Sequence, residues 1–208
     1  MVRIKEMPYS EKYAQALEYT KLLEGFVLPL VQKRLGDKAL AQLQGIWREE
    51  AKAIPADVSD QEKYEIAYGS WLRQWGRAFG LVRNQLGEDG VEEFMAADVD
   101  ALKRKNSGPA LYLLRAIRAL SRSSAFYVTA GRMAYQLQFF TPFSVSELNG
   151  SKAVFNIPRC KILDSPDGET VCQVGCQGVF PIWMADQLKV KMDTDRQGNS
   201  CTVTLSPL

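Results

Sequence analysis

Hydrophobic periodicity changes once along this chain, and that change limits the fold more than any single motif. Over roughly the first 120 residues apolar side chains recur at intervals of three and four, and near the C-terminus they recur at every second position. The clearest helical stretch runs from Ser59 to Leu86. Its stripe comprises Tyr64, Ala67, Tyr68, Trp71, Leu72, Trp75, Ala78, Phe79, Val82 and Leu86, a buried face read here as core. Ser59 and Glu62 have capping-box spacing, and Gly87 supplies a stop. Gly69, Gly76 and Gly80 interrupt the stripe and predict close helix packing rather than a ligand against bare backbone. Further helices are expected from Ser10 to Leu35 with a kink near Pro29, from Lys38 to Lys52, from Asp89 to Lys105, and from Pro109 to about Ser123.

The alternating pattern begins at Tyr135, Leu137 and Phe139, is interrupted by Pro142, and resumes at Phe143, Val145 and Leu148. Asn149-Gly150 predicts a hairpin into Ala153, Phe155 and Ile157. Val171 to Gln187 reads as a helix loosened by Gly175, Gly178 and Pro181, and a last hairpin joins Leu188, Val190 and Met192 to Cys201, Val203 and Leu205. Helices followed by ββαββ predict an α+β fold, an N-terminal helical layer on an antiparallel sheet unit. The division expected is a helical region over 1–108 and a cysteine-containing region over 109–208, within one continuous fold.

The chain has no histidine. That excludes Ser-His-Asp and Cys-His triads, haem held by histidine and histidine-containing zinc sites. Neither a GxGxxG loop nor a Walker pattern occurs, so no nucleotide cofactor is expected. The 26 basic and 24 acidic residues nearly cancel, so bulk charge gives no case for nucleic acid. No run nears the roughly 18 apolar residues a membrane span needs. The opening MVRIKEMPYSEKY lacks the apolar core of a secretory signal, and a cytoplasmic location is expected.

All four cysteines, Cys160, Cys172, Cys176 and Cys201, lie in the last quarter of the chain. Cys172 and Cys176 share a face if their segment is helical. Were that helix to cross the sheet, the four would converge as a thiolate set for zinc or an iron–sulfur cluster. Two other readings stand beside it: small buried core residues, or a nucleophilic thiol, with Cys172 and Cys176 the candidates. A second cluster is basic. Between Ala101 and Ser146 there is no acid, while Arg115, Arg118 and Arg122 form a helical stripe with Arg132 beyond. Arg115, Arg118 and Arg132 are candidates for holding an anionic ligand. The competing reading is a solvated face paired with acids such as Glu92, Glu93, Asp98 and Asp100. The turn acids Asp164 and Asp167, and Asp193 and Asp195, are read as backbone-bonding turn residues.

Ile157-Pro158-Arg159-Cys160, the two cysteines of VCQVGCQGVF, Trp183 in PIWMADQLKVKM and the ending RQGNSCTVTL together resemble the L-2-amino-thiazoline-4-carboxylic acid hydrolase-like proteins. These are similar in architecture to the group with vinyl-reductase-type, haem-NO-binding and TRAPP-type domains. The resemblance covers about residues 110–208. It implies helices before a ββαββ unit, cysteines at the family's cysteine positions, and Trp183 among the ligand-binding residues. The family pattern also has an acid soon after the helix cysteine, whereas here Gln177, Gly178, Val179 and Phe180 follow Cys176 and the first acid is Asp186. The expected function is an intracellular sensor-like protein binding a small anionic or sulfur-containing molecule, or a metal, at a cysteine-lined site. The alternative is a hydrolase opening C–N bonds of a small cyclic amidine such as a thiazoline carboxylate. A homodimer, joined through an exposed apolar face, is a third expectation.

Overall fold

A computed structural model describes residues 4–51 and 53–208. Four long helices come first: α1 (Tyr9–Glu50), α2 (Asp60–Lys105), α3 (Pro109–Leu120) and α4 (Arg122–Phe140). Glycine breaks two of them. Gly36 (φ 82°) divides α1 and Gly87 (φ 64°) divides α2, a backbone conformation open to glycine at little steric cost. Helical pairs on either side of each break are what the sequence predicts, with Gly36 rather than Pro29 marking the division of α1. The capping box at Ser59 and Glu62 is present in both directions.

One expectation is corrected between Tyr135 and Phe139, which lie in α4 and not in a strand. α4 is enclosed on more than one side. Ala134, Phe139 and Phe140 are buried while Tyr135, Gln136, Leu137 and Gln138 are half-buried, so its apolar residues do not fall on a single stripe. Two tyrosines of α2 secure its C-terminal end. Tyr64 and Tyr68 donate hydroxyl hydrogen bonds to the carbonyls of Phe139 and Phe140, groups that a helix terminus leaves without intrahelical partners.

The sheet contains β1 (Ser144–Leu148), β2 (Ala153–Ile157), β3 (Val190–Gln197) and β4 (Ser200–Pro207), antiparallel throughout in the order β1-β2-β4-β3. The architecture is α+β, helices first and a four-stranded antiparallel sheet last. In the β1–β2 turn, Asn149 Oδ1 accepts from the backbone N–H of Ser151 and Lys152. A side chain on Gly150 would overlap Ser123 at the start of α4. Between β2 and β3 a helical run covers residues 168–188, with π-helical geometry over Val171–Val179 and Met184–Leu188. It ends at Lys189, which has a left-handed backbone (φ 53°). This cysteine helix packs on α2 and reaches β3, while α4 reaches β1 and β4. One core cluster links Met7 near the start to Leu205 near the end.

Among the α2 glycines only Gly76 is explained by a close approach from another element: an added Cβ would collide with the side chain of Asp167. At Gly80 nothing lies within 4 Å, and at Gly69 the neighbour is Arg73 of the same helix.

A cysteine-walled cavity between helices and sheet

Strand parity decides what β3 and β4 present to the helices. In register, Ile157 of β2 faces Cys201 of β4, which faces Arg196 of β3, and Phe155, Val203 and Thr194 form the next row. Alternate side chains share a sheet face, so Met192, Thr194 and Arg196 lie on the same side as Cys201 and Val203. That side borders a cavity of about 430 Å³.

α1, the end of α2, α3, α4 and the cysteine helix close the cavity. Cys160, Cys172, Cys176 and Cys201 all line it. All four therefore border one space, as free thiols. Cys160 and Cys172 are buried, Cys176 and Cys201 half-buried. Among the described residues, however, no group of three or more Cys, Asp or Glu side chains is arranged to hold one metal ion. The sulfurs share a wall rather than a coordination sphere.

Burial raises the pKa of every one of these thiols, because an apolar wall disfavours the charged form. Cys201 is pushed up to about 11 by burial and then by its neighbours Cys172 and Cys160. Cys176 is raised well above the usual thiol value by burial and by the other three cysteines. For Cys172 burial again dominates, opposed in part by Arg196, and Cys160 is raised by burial despite backbone N–H groups of Ile162 and Leu163. Neutral thiols are poor nucleophiles. With the native protein at pH 7.5, all four should react with Ellman's reagent at least about tenfold more slowly than in urea, in keeping with the low thiolate fraction. A rapidly titrating native thiol would contradict this.

The basic candidates separate. Arg132 lines the cavity from α4, its side chain exposed at the rim, and Trp183 lines it from the cysteine helix, its indole N–H donating to Gln187 Oε1. Arg115 and Arg118 do not line it. Arg118 donates to the Leu188 carbonyl, joining α3 to the end of the cysteine helix, and Arg115 lies exposed beside the Tyr112 ring. Among the described residues no acid pairs with Arg115, Arg118, Arg122 or Arg132. The acids expected beside that stripe are engaged elsewhere: Glu93 with Arg34, Asp100 with Lys103, and Asp98 buried within α2.

Two further basic side chains also line the cavity. Arg196, at the cysteine end, forms an ion pair with Glu169 at 2.6 Å. Lys105, at the helical end, pairs with Glu18 at 3.1 Å and sits 4.0 Å over the Tyr19 ring. Parity was the available signal for Arg196, which is two residues from Thr194 and four from Met192.

Among the described residues no helix is long and apolar enough to cross a membrane. No protein-family model matches this chain, and the curated proteins give no significant match to it.

Proposed function

We propose that this chain is a small-molecule-binding protein of the sensor type, taking a compact, largely apolar ligand into the space between helices and sheet. The observation that carries this reading is the cavity itself. Its volume of about 430 Å³ falls within the size range of ligand pockets. Apolar residues predominate around it; the polar ones include Thr129, Thr141, Thr194 and the four thiols along the walls, Arg196 at the cysteine end, and Arg132, Lys105 and Glu18 at the helical end. Apolar walls supply affinity through burial and the sparse polar groups supply orientation. Arg132 would favour an anionic group on the ligand, in keeping with the resemblance to the thiazoline-carboxylate hydrolase-like proteins.

Binding is preferred to hydrolysis because ring opening needs a base or an activated nucleophile. The thiols here are held neutral by burial, and no carboxylate follows Cys176 before Asp186. Zinc or an iron–sulfur cluster on the four sulfurs would require them to draw together from the arrangement described above.

Titration with 1-anilinonaphthalene-8-sulfonate, an aromatic anion, tests the reading. Saturable binding at one site per chain is expected, abolished by Met133→Trp, which fills the cavity from α4. Arg132→Ala should weaken it by roughly two- to fivefold, the range for an exposed ion pair. Binding that survives Met133→Trp would move the ligand elsewhere. Turnover of a thiazoline carboxylate that is lost in Cys176→Ser would replace the binding reading with the hydrolase. Stoichiometric metal on anaerobically purified protein, lost in both Cys172→Ser and Cys201→Ser, would replace the wall of neutral thiols with a metal centre.

A further inference from the structure

Beside the large cavity lies a second one of about 40 Å³, and the two share Tyr19, Leu102, Phe140, Ile162, Cys176 and Phe180 in their walls. The smaller space is almost entirely aromatic and aliphatic. Tyr19, Phe26, Trp71, Trp75, Phe140 and Phe180 border it, and a single acid, Asp98, lines it with them. Asp98 is only 9% exposed. Among the described residues its side chain has one hydrogen bond, a long one from Trp75 Nε1 to Oδ2 at 3.4 Å, at the weak end of useful geometry. Among the described residues no lysine or arginine forms an ion pair with it.

A carboxylate offers about four acceptor positions, so most of the hydrogen-bonding capacity of Asp98 is unused. Removing a charged group from water is costly unless it is paired. Lys105, which lines the adjoining larger cavity, is already held by Glu18 and the Tyr19 ring. Aromatic faces carry negative charge and attract cations, most strongly where water is excluded. A buried carboxylate among such rings is complementary to a small cation with several N–H donors. Size narrows the choice further. A water needs roughly 10–15 Å³ of such space, so a cavity of about 40 Å³ takes a head group of a few atoms, and the side chains it shares with the larger cavity make that the adjoining space for a longer molecule.

We propose that this aromatic recess is the subsite for the ammonium group of a primary amine, received by Asp98, with the largely apolar remainder of the molecule, and any anionic group it carries toward Arg132, in the 430 Å³ cavity. This rests on the small-molecule reading above and adds the chemical class of the ligand. Up to three ammonium N–H donors meet the free acceptor positions of Asp98 and the faces of the surrounding rings. An alcohol of equal length keeps the apolar contacts and loses the charge.

The test is calorimetric titration of the full chain with hexylamine and with 1-hexanol at pH 7.5, repeated on Asp98→Asn. The wild-type protein should bind hexylamine at least about tenfold more tightly than hexanol, and the ratio should fall to about one in Asp98→Asn. Hexanol bound as tightly as hexylamine by the wild-type protein would overturn the ammonium subsite and leave the apolar cavity standing. Failure of both compounds and of the anilinonaphthalene probe to bind would overturn the cavity reading and the subsite together. A preference for amine that persists in Asp98→Asn would assign the cation to another acid and overturn the role of Asp98. Should Asp98→Asn fold poorly, Glu18→Gln takes its place: the amine preference should persist, since Glu18 is the other acid bordering the two cavities, and its loss would assign the cation to Glu18 and overturn the role of Asp98.

Discussion

Unfolding free energy measured across pH should fall as the solution is raised from pH 4 to pH 8, and Asp98→Asn should remove that part of the slope. Asp98 is pushed up to about 7 by burial, with the Trp75 hydrogen bond opposing the shift only in part. In the unfolded chain an aspartate titrates near 3.9. Between those values the folded state holds a proton that the unfolded state has lost, so stability declines as pH rises through the window. Below about pH 4 both states are protonated and the full contribution is present. Above about 7 both are ionised and it is gone. A shift from 3.8 to about 7, at 1.36 kcal/mol per unit, corresponds to about 4 kcal/mol across the window. Subtracting the urea-unfolding profile of Asp98→Asn from that of the wild type isolates this group from the other acids. A flat difference would show that Asp98 is solvated or paired in the folded protein. Hexylamine should make the wild-type decline shallower at pH 7.5, because a ligand bound only to the folded state adds its own binding free energy.

The second large effect belongs to Phe139. It is fully buried, with its ring within 6.0 Å, centre to centre, of Tyr19, Tyr64, Tyr68, Trp71 and Phe140. Those partners come from α1, α2 and α4, so one side chain ties three helices together. Phe139→Ala should cost about 3–5 kcal/mol, the range for a buried phenylalanine that leaves a cavity, and the several aromatic partners favour the upper end. That is a third or more of the total stability of many domains. Phe139→Leu, which retains most of the volume, should cost under about 1.5 kcal/mol. Urea unfolding of both variants with an unchanged denaturant slope would confirm that the loss lies in the folded core. Equal losses for Ala and Leu would mean that ring geometry matters more than volume.

How far each part was legible depends on the range of the interaction that sets it. Ser59, Glu62, Gly87 and Pro109 act within a few residues, and the helix limits that they imply are those found. The four cysteines border one cavity because a helix between two hairpins has few ways to cover a small sheet. The strand expected at Tyr135 failed because α4 is surrounded by neighbours, and enclosure on several sides erases the helical stripe that the sequence would otherwise display. Arg115 and Arg118 were candidate ligand contacts by spacing alone, but the orientation of α3 depends on what it packs against and takes them out of the cavity. Asp98 was grouped with exposed acids, since nothing in its local sequence reports that the aromatic residues of α1 and α2 close around it. Nor did the π-helical geometry of the cysteine segment have a sequence signature beyond Gly175, Gly178 and Pro181. Such widened turns often occur at functional sites.

The pairing of β2 with β4 bears on when the cavity between helices and sheet comes into existence. Ala153 pairs with Leu205 and Ile157 with Cys201, so the two central strands meet only after the whole cysteine helix and β3 have been placed between them. Contacts this distant in sequence are slow to form, because the loop must be closed before it is rewarded. The helices can assemble earlier through local contacts, leaving the floor of the cavity to the last strand. A ligand of the kind proposed would find its site complete only late in folding, and would act as a latch on the finished molecule, slowing the unzipping of β4 and lengthening the lifetime of the native state.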